Sequence, residues 1–366
     1  MTDAGPTSTG VETSRVLSID AMGGDNGPAT VVAGLARFLK KKPGTPVILH
    51  GRSSELAPLL ARHGLTDAVT LRDAADVVTM HDKPSHVVRH GKTTSMWSAI
   101  EAVRDNEAGV VVSCGNTGAL MAMSMLRLRK LEGVNRPAIA CLWPSRNRQG
   151  FNVMLDAGAD IRADQDDLLI HALMGASYAR TAFDLAQPRV GLLNVGTEEH
   201  KGRAELKVAH ELIGTSADKG GFVYVGFVEG GDLPGDACDV IVTDGFTGNV
   251  ALKTGEGIAN LIADLLRDAL RRTPLSMIGA LLASGALRAL KKRIDPRRVN
   301  GGVFLGLTRT VIKSHGSADE TGVAAAIMLA HRLVDQGFSD KLAARLATAL
   351  PHDADRTPPL TDGAQP

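Results

Sequence analysis

Short apolar runs rich in Val, Ile and Leu recur at residues 16–19, 47–49, 109–113, 151–155, 190–194, 222–226 and 240–243. Between them, stretches with helical apolar spacing occupy 29–42, 94–106, 119–131, 166–185 and 204–213. Regular alternation of strand and helix predicts right-handed crossovers and a mostly parallel sheet covered on both faces, and so an α/β protein built as a three-layer α/β/α sandwich. The ends of the chain break the pattern. Residues 1–14 are rich in Thr, Gly and Ser and lack the basic start and apolar core of a secretory signal, so they read as a disordered extension. Residues 351–366 hold four prolines and almost no apolar side chain, which predicts a disordered tail and leaves one domain over 15–350.

In open α/β sheets ligands settle at the carboxyl ends of strands, where loops gather and helix N-termini present unpaired amides. Four loops at such positions read AMGGDNGP (21–28), SCGNTGA (113–119), NVGTEEHKG (194–202) and TDGFTGN (243–249). Each sets Gly beside Asn, Thr or Asp. One such loop is an ordinary turn, whereas four of the same character predict an anion site. Neither GxxxxGK[ST] nor a strand-linked GxGxxG with a distal acid is present, which argues against ATP and dinucleotides and leaves a small oxyanion. A formal net charge of +1 argues against a general nucleic-acid binder. Cys114, Cys141 and Cys238 have no paired spacing, which predicts a reducing, cytoplasmic setting without a disulfide framework or metal site.

Five segments in order, IDAMGGDNGP, HDKPSHVVRHGKTTSM (81–96), SCGNTGALMA (113–122), DGFTGNVALKT (244–254) and VIKSHGSAD (311–319), resemble the bacterial phosphate acyltransferases of phospholipid synthesis. The likeness covers residues from about 15 to about 337. It implies conversion of acyl-acyl carrier protein and inorganic phosphate into acyl phosphate, with no cofactor. It also implies a homodimer, a fold related to phosphotransacetylases and isocitrate and isopropylmalate dehydrogenases, and peripheral association with the inner face of the cell membrane. There a membrane glycerol-3-phosphate acyltransferase takes up the product. The chain departs from the family at Phe227 and Gly231 in GFVEGGD, where GNVEGRD is usual, at Asn300 in place of Tyr, and at Cys114 in place of Ala.

Attack of phosphate on a thioester demands little acid or base, because phosphate is already anionic and a thiol with a pKa of roughly 8.5 leaves as thiolate. It demands positioning and stabilisation of a tetrahedral oxyanion. Gly23 and Gly24 let backbone approach a ligand, and Asn26 offers an amide. Asp20 and Asp25 would repel phosphate, so they fix the loop, orient cations or contact the pantetheine arm, with turn stabilisation as the plainer alternative. Lys83, Arg89 and Lys92 beside Thr94 and Ser95 suit phosphate or an acidic carrier, or a solvated loop. Asn116, Thr117 and Gly118 either cap the next helix or point donors outward. Asp244, Thr247, Asn249 and Lys253 occupy a strand-to-helix junction, and Lys313, His315 and Ser317 close the set. Asn116, Lys313, His315 and Asp244 are the candidate catalytic residues, with His315 able to donate to the oxyanion or protonate the sulfur. No activated cysteine or Ser–His–Asp order stands out, which favours direct transfer.

The stretch TPLSMIGALLASGALRALKKRID (273–295) sets Leu275, Ile278 and Leu282 near helical spacing beside a basic cluster that includes Lys291 and Lys292. Its apolar part, roughly 16 residues, falls short of the approximately 20 that span a bilayer. A protruding helical pair at about 256–298 that rests on an anionic membrane surface, or at the dimer interface, is expected. Competing functions are a phosphotransacetylase acting on short acyl-CoA and a non-enzymatic membrane scaffold for lipid-synthesis enzymes.

Overall fold

The structure, a computed structural model, describes residues 15–198, 200–287 and 301–350. Its elements in order are β1 (Leu17–Asp20), α1 (Gly27–Lys41), β2 (Val47–Gly51), α2 (Ser53–Arg62), β3 (Thr70–Asp73), α3 (Pro84–His90), α4 (Ser95–Arg104), β4 (Val110–Ser113), α5 (Thr117–Leu128), β5 (Ala138–Pro144) and β6 (Phe151–Leu155). There follow α6 (Gln165–Phe183), β7 (Arg189–Leu193), α7 (Ala204–Gly220), β8 (Val223–Val228), β9 (Val240–Val242), α8 (Gly245–Arg271), α9 (Pro274–Leu282), β10 (Gly302–Leu305), β11 (Thr310–Lys313), α10 (Glu320–Asp335) and α11 (Phe338–Ala349).

The strands form one sheet in the order β3-β2-β1-β4-β11-β10-β5-β6-β9-β7-β8. Strands β3, β2, β1, β4 and β11 are mutually parallel, as are β6, β9, β7 and β8. Between these halves β10 runs antiparallel to both β11 and β5, and β5 antiparallel to β6. Three successive antiparallel pairings reverse the strand direction, so the carboxyl ends of the two halves face opposite edges of the sheet. Both faces are covered, which is why the strands read as continuous apolar runs rather than as alternating ones. Leu17, Ile19, Val110, Val112 and Ile312 enter a core under α1, α6, α7, α10 and α11. Val111, Val311, Ile139 and Ile241 enter a second core under α3, α4, α5 and the base of α8. Four of the eleven strands, β3, β5, β10 and β11, lie outside the seven apolar runs read from the sequence.

Local chemistry fixes the helix starts. Asp244 caps α8 by accepting from the Thr247 N–H at 2.8 Å, and Asp164 and Asp167 form a reciprocal capping box on α6. Helix α8 then runs back across the second face, with Gly248 against Asp156 and Gly255 against the Trp143 ring. Beyond that point it leaves the sheet. The hairpin of α8 and α9 carries an unburied apolar surface that includes Ile262, Leu265, Leu275 and Leu282, the last 83% exposed. No described helix is long and apolar enough to cross a membrane. Lys291, Lys292, Asn300 and both predicted tails lie outside the described residues.

A β-carbon added at Gly248 would sit 1.9 Å from the Asp156 carbonyl oxygen, a backbone atom that cannot swing aside. Gly248→Ala is therefore expected to cost at least about 2 kcal/mol, read as a lowered midpoint in denaturant titration. A wild-type midpoint would show that α8 can lift from the sheet at no cost.

Candidate active site

Asp20, Ser113 and Lys313 end three adjacent parallel strands in exact register, Asp20 beside Ser113 and Ser113 beside Lys313. All three are buried. The Asp20 carboxylate accepts from Ser95 Oγ and Ser113 Oγ, each at 2.7 Å, and from the Met22 N–H at 3.2 Å. Burial raises its pKa, and the bonds from Ser95, Ser113, Met22 and Gly23 oppose that rise. Lys313 Nζ donates to the carbonyls of Cys114, at 3.3 Å, and Ser314. Burial holds its pKa down to about 8, against the pull of Cys114, Asp25 and Asp20. At neutral pH Lys313 is thus still mostly charged, a cation held out of water at the carboxyl edge of the sheet.

Loops from three directions roof this row. The Asp25 N–H donates to Gly316 O at 2.8 Å, and Asn26 Nδ2 donates to Ser317 O at 3.1 Å and Ala318 O at 3.0 Å. Gly23 lies so close to Gly115 that a β-carbon would sit 2.6 Å from its nitrogen, and Gly24 has a φ of +96°. Both glycines are therefore required by the approach of the 20–26 loop to the 113–116 loop. Asn116 accepts from the Ala119 N–H, capping α5, while its Nδ2 reaches the carbonyls of Met80 at 3.0 Å and Asp82 at 3.1 Å. The side-chain amides of Asn26 and Asn116 are thus bound within the protein, where the sequence pattern offers them to a ligand. Thr117 and Gly118 begin α5 exposed, at the turn whose first N–H groups have no intrahelical partner. Thr94 caps α4, and Lys83, Arg89 and Lys92 stand exposed around α3. His315 is exposed, and its Nδ1 lies 2.8 Å from Ser317 Oγ and accepts from the Ser317 N–H at 3.3 Å, so the neutral ring carries its proton on Nε2.

A second polar chain lies behind the first. Ser18 Oγ donates to Ala99 O at 2.8 Å, so its contact with His50 Nε2 at 2.9 Å needs a proton on that nitrogen. His50 Nδ1, 2.8 Å from Ser98 Oγ, is then the acceptor. Burial, with Arg72 nearby, lowers the His50 pKa to about 3 and keeps this arrangement neutral. It ties α4, and hence Ser95, to β1 and β2.

Other predicted residues lie elsewhere. Asp244, Thr247, Asn249 and Lys253 sit at the opposite edge, at the carboxyl end of β9, because the antiparallel strands reverse the sheet. One chain therefore does not gather all four loops into a single site, as the sequence pattern suggests. There Asp244 pairs with Arg203 and accepts from Thr247 Oγ1 at 3.1 Å, Asn249 reaches Ala157 O at 3.3 Å, and Lys253 pairs with Glu256 at 2.7 Å. Phe227 is buried on β8, stacked with the His210 ring at a centroid distance of 4.5 Å, and a side chain at Gly231 would meet nothing within 4 Å. Both departures belong to the β8 end of the sheet, far in strand order from Lys313. Burial pushes the Cys114 thiol up, and those of Cys141 and Cys238 up to about 12, so none is an activated nucleophile. Among the described residues no cluster of His, Cys, Asp or Glu could hold a metal ion. Ser113, His50 and Arg203 were not singled out from sequence, although a polar residue closing an apolar strand marks the first.

Residues 15–341 match the family model described as "Fatty acid synthesis protein". Proteins named phosphate acyltransferase are similar over nearly the whole chain. That of Paracoccus denitrificans is 68% identical over 336 residues, 92% of this chain and 91% of that protein. That of Jannaschia sp. is 70% identical over 335 residues, 91% and 92% of the two chains. Among solved structures, a phosphotransacetylase from Streptococcus pyogenes matches 89% of this chain and 97% of its own with a TM-score of 0.58 at 17% identity. The EutD phosphotransacetylase from Staphylococcus aureus gives 0.56 at 12% identity, covering 89% and 98%. These two likenesses show the fold.

Two outcomes follow from the geometry. Asn116→Asp keeps the oxygen that caps α5 and loses the donor that holds residues 79–82. Hydrogen exchange should therefore quicken in that loop while α5 stays protected, at a stability cost of about 1–3 kcal/mol; unchanged exchange would mean that the loop is held otherwise. For Lys313, the folded state binds fewer protons than the unfolded one between pH about 8 and the ordinary value of 10.5. Its contribution to stability therefore rises with pH across that window, by up to about 3 kcal/mol. Lys313→Met should remove that slope, which the difference between the two proteins' denaturation midpoints would show.

Proposed function

The chain belongs to the fatty acid synthesis protein family as a phosphate acyltransferase, and from that premise we propose that it transfers the acyl group of acyl-acyl carrier protein to inorganic phosphate, releasing acyl phosphate for phospholipid synthesis. The observation that carries this reading is Lys313, a buried cation under three glycine-bearing loops at a carboxyl edge. Residues 15–350 act as one catalytic unit. Phosphate takes its charge compensation from Lys313 and its orientation from backbone amides around Gly23, Gly24 and Gly118 and from the Ser317 loop.

A phosphate oxygen attacks the thioester carbonyl, and the tetrahedral oxyanion collapses with cleavage of the carbon–sulfur bond. The hydrogen of HPO4²⁻ ends on the departing thiol, so acyl phosphate and free carrier balance thioester and phosphate. His315, with its proton on Nε2, lies in the same loop as a donor to the oxyanion or the sulfur. Asp20 and Asp25 hold Lys313 and the loops in place rather than meeting phosphate. The exposed Lys83, Arg89 and Lys92 face the acidic carrier. In a homodimer the Asp244, Thr247, Asn249 and Lys253 edge of one copy is available to the other. The α8–α9 hairpin, with Leu275, Ile278 and Leu282 exposed, rests on an anionic membrane surface at the inner face of the cell membrane, where a glycerol-3-phosphate acyltransferase consumes the product.

The test is to incubate the protein with long-chain acyl-acyl carrier protein, with and without phosphate, following free thiol and hydroxylamine-trapped acyl phosphate together. Phosphate-dependent appearance of both is expected. Turnover of acetyl-CoA alone would make the chain a phosphotransacetylase, and silence with both donors would favour a scaffold. Lys313→Met should lower kcat/KM by at least about a hundredfold. The wild-type rate should fall as pH rises through about 8, where Lys313 loses its proton.

A further inference from the structure

The first turns of α5 carry more than the Asn116 cap. Met121, Ala122, Met125 and Leu126 follow Gly118 at spacings of three, four, seven and eight, which aligns them as one stripe. Met121 is half-buried against the second core, while Met125 is 36% and Leu126 51% exposed. The helix also packs against α3 and α4. The stripe does not begin in isolation. Met80, 39% exposed, has its Cε 3.0 Å from where a β-carbon on Gly316 would stand, and its carbonyl is among those held by Asn116. The ring of Pro84 closes on Gly118 in the same way, at 2.9 Å. Apolar side chains thus stand both at the rim of the loops over Lys313, as Met80 and Pro84, and along α5 from the turn that Pro84 touches.

We propose that this methionine path seats the acyl chain of the donor. The inference rests on the acyl-transfer reading above and adds where the apolar half of the substrate lies. That substrate has two unlike parts joined at the reacting carbonyl: one end meets phosphate, and the other must leave water within a few bonds of it. Met80 is an exposed apolar side chain that lies against the Gly316 loop. Methionine is unbranched and polarizable, so it follows a flexible chain without demanding one conformation. Each methylene covered is worth about a fourfold gain in binding, so even a partly covered chain separates long donors from short ones.

Palmitoyl- and butyryl-acyl carrier protein, at saturating phosphate, test the path. The variant Met121→Gln with Met125→Gln, and separately Met80→Gln, should lower kcat/KM for the palmitoyl donor at least about tenfold more than for the butyryl donor. Leucine at the same positions should restore the ratio. A palmitoyl donor with a diazirine at its chain end should label the segment 117–128 in the wild-type protein, a readout independent of how well the variants fold. An unchanged ratio, or label confined to other segments, overturns the proposal; a shift of the variants from dimer to monomer with the ratio intact would assign the stripe to a second copy. If the wild-type protein releases no thiol in response to phosphate with either donor, the acyl-transfer reading itself falls, which is a different result from transfer with an unaltered ratio.

Discussion

Taking a carboxylate or an ammonium out of water costs several kcal/mol unless other groups replace the water, and β1 and β11 bury one of each on the same sheet face. Much of this edge answers that cost. Ser95, Ser113 and two backbone amides surround Asp20, carbonyls of the 113–116 and 314–318 loops receive Lys313, and the two charges share the intervening Ser113 position. Because those carbonyls come from loops that follow strands, the loops must turn sharply over the row. That is why glycines crowd together there, and why Asn26 and Asn116 are used to fasten one loop to another. The apparatus leaves Lys313 with a weakened hold on its proton, because burial disfavours the charged ammonium more than the nearby carboxylates favour it.

The sheet imposes a second constraint. Three antiparallel pairings at its centre turn the polypeptide's two parallel halves against each other, so loops that look alike in sequence face opposite edges. The opposite edge is organised by the same means: a buried aspartate caps a helix, glycines allow close approach, and an arginine neutralises the cap. Similar local chemistry therefore arises twice, but among the described residues the first edge carries the buried cation Lys313, bonded to carbonyls, while Lys253 at the other is exposed and paired.

Much of this was legible in the sequence. Apolar runs closed by a polar residue placed β1, β4 and the fold class, and the asparagine and threonine before each apolar helical pattern placed the caps of α4 and α5. What pattern cannot convey is direction: β10 and β11 are four residues each, β5 is antiparallel to both of its neighbours yet begins with an apolar run like those of the parallel strands, and nothing local marks them as reversing the sheet. Nor does a loop motif reveal whether an amide faces a ligand or a neighbouring carbonyl. Asn116 satisfies every rule for a donor in a site, and a loop more than thirty residues away in the chain claims it. His50 has no motif at all, and its role depends on Ser18 and Ser98 arriving from two other elements.

Helix α8 is a single continuous rod, and the 16 residues that follow Gly255, up to Arg271, extend it past its last glycine contact with the sheet. At 1.5 Å per residue this is a stilt of up to about 24 Å, close to the width of a small folded domain. Whatever the hairpin tip rests on is thereby kept at arm's length from the sheet edge, with headroom for a compact macromolecule to slip underneath.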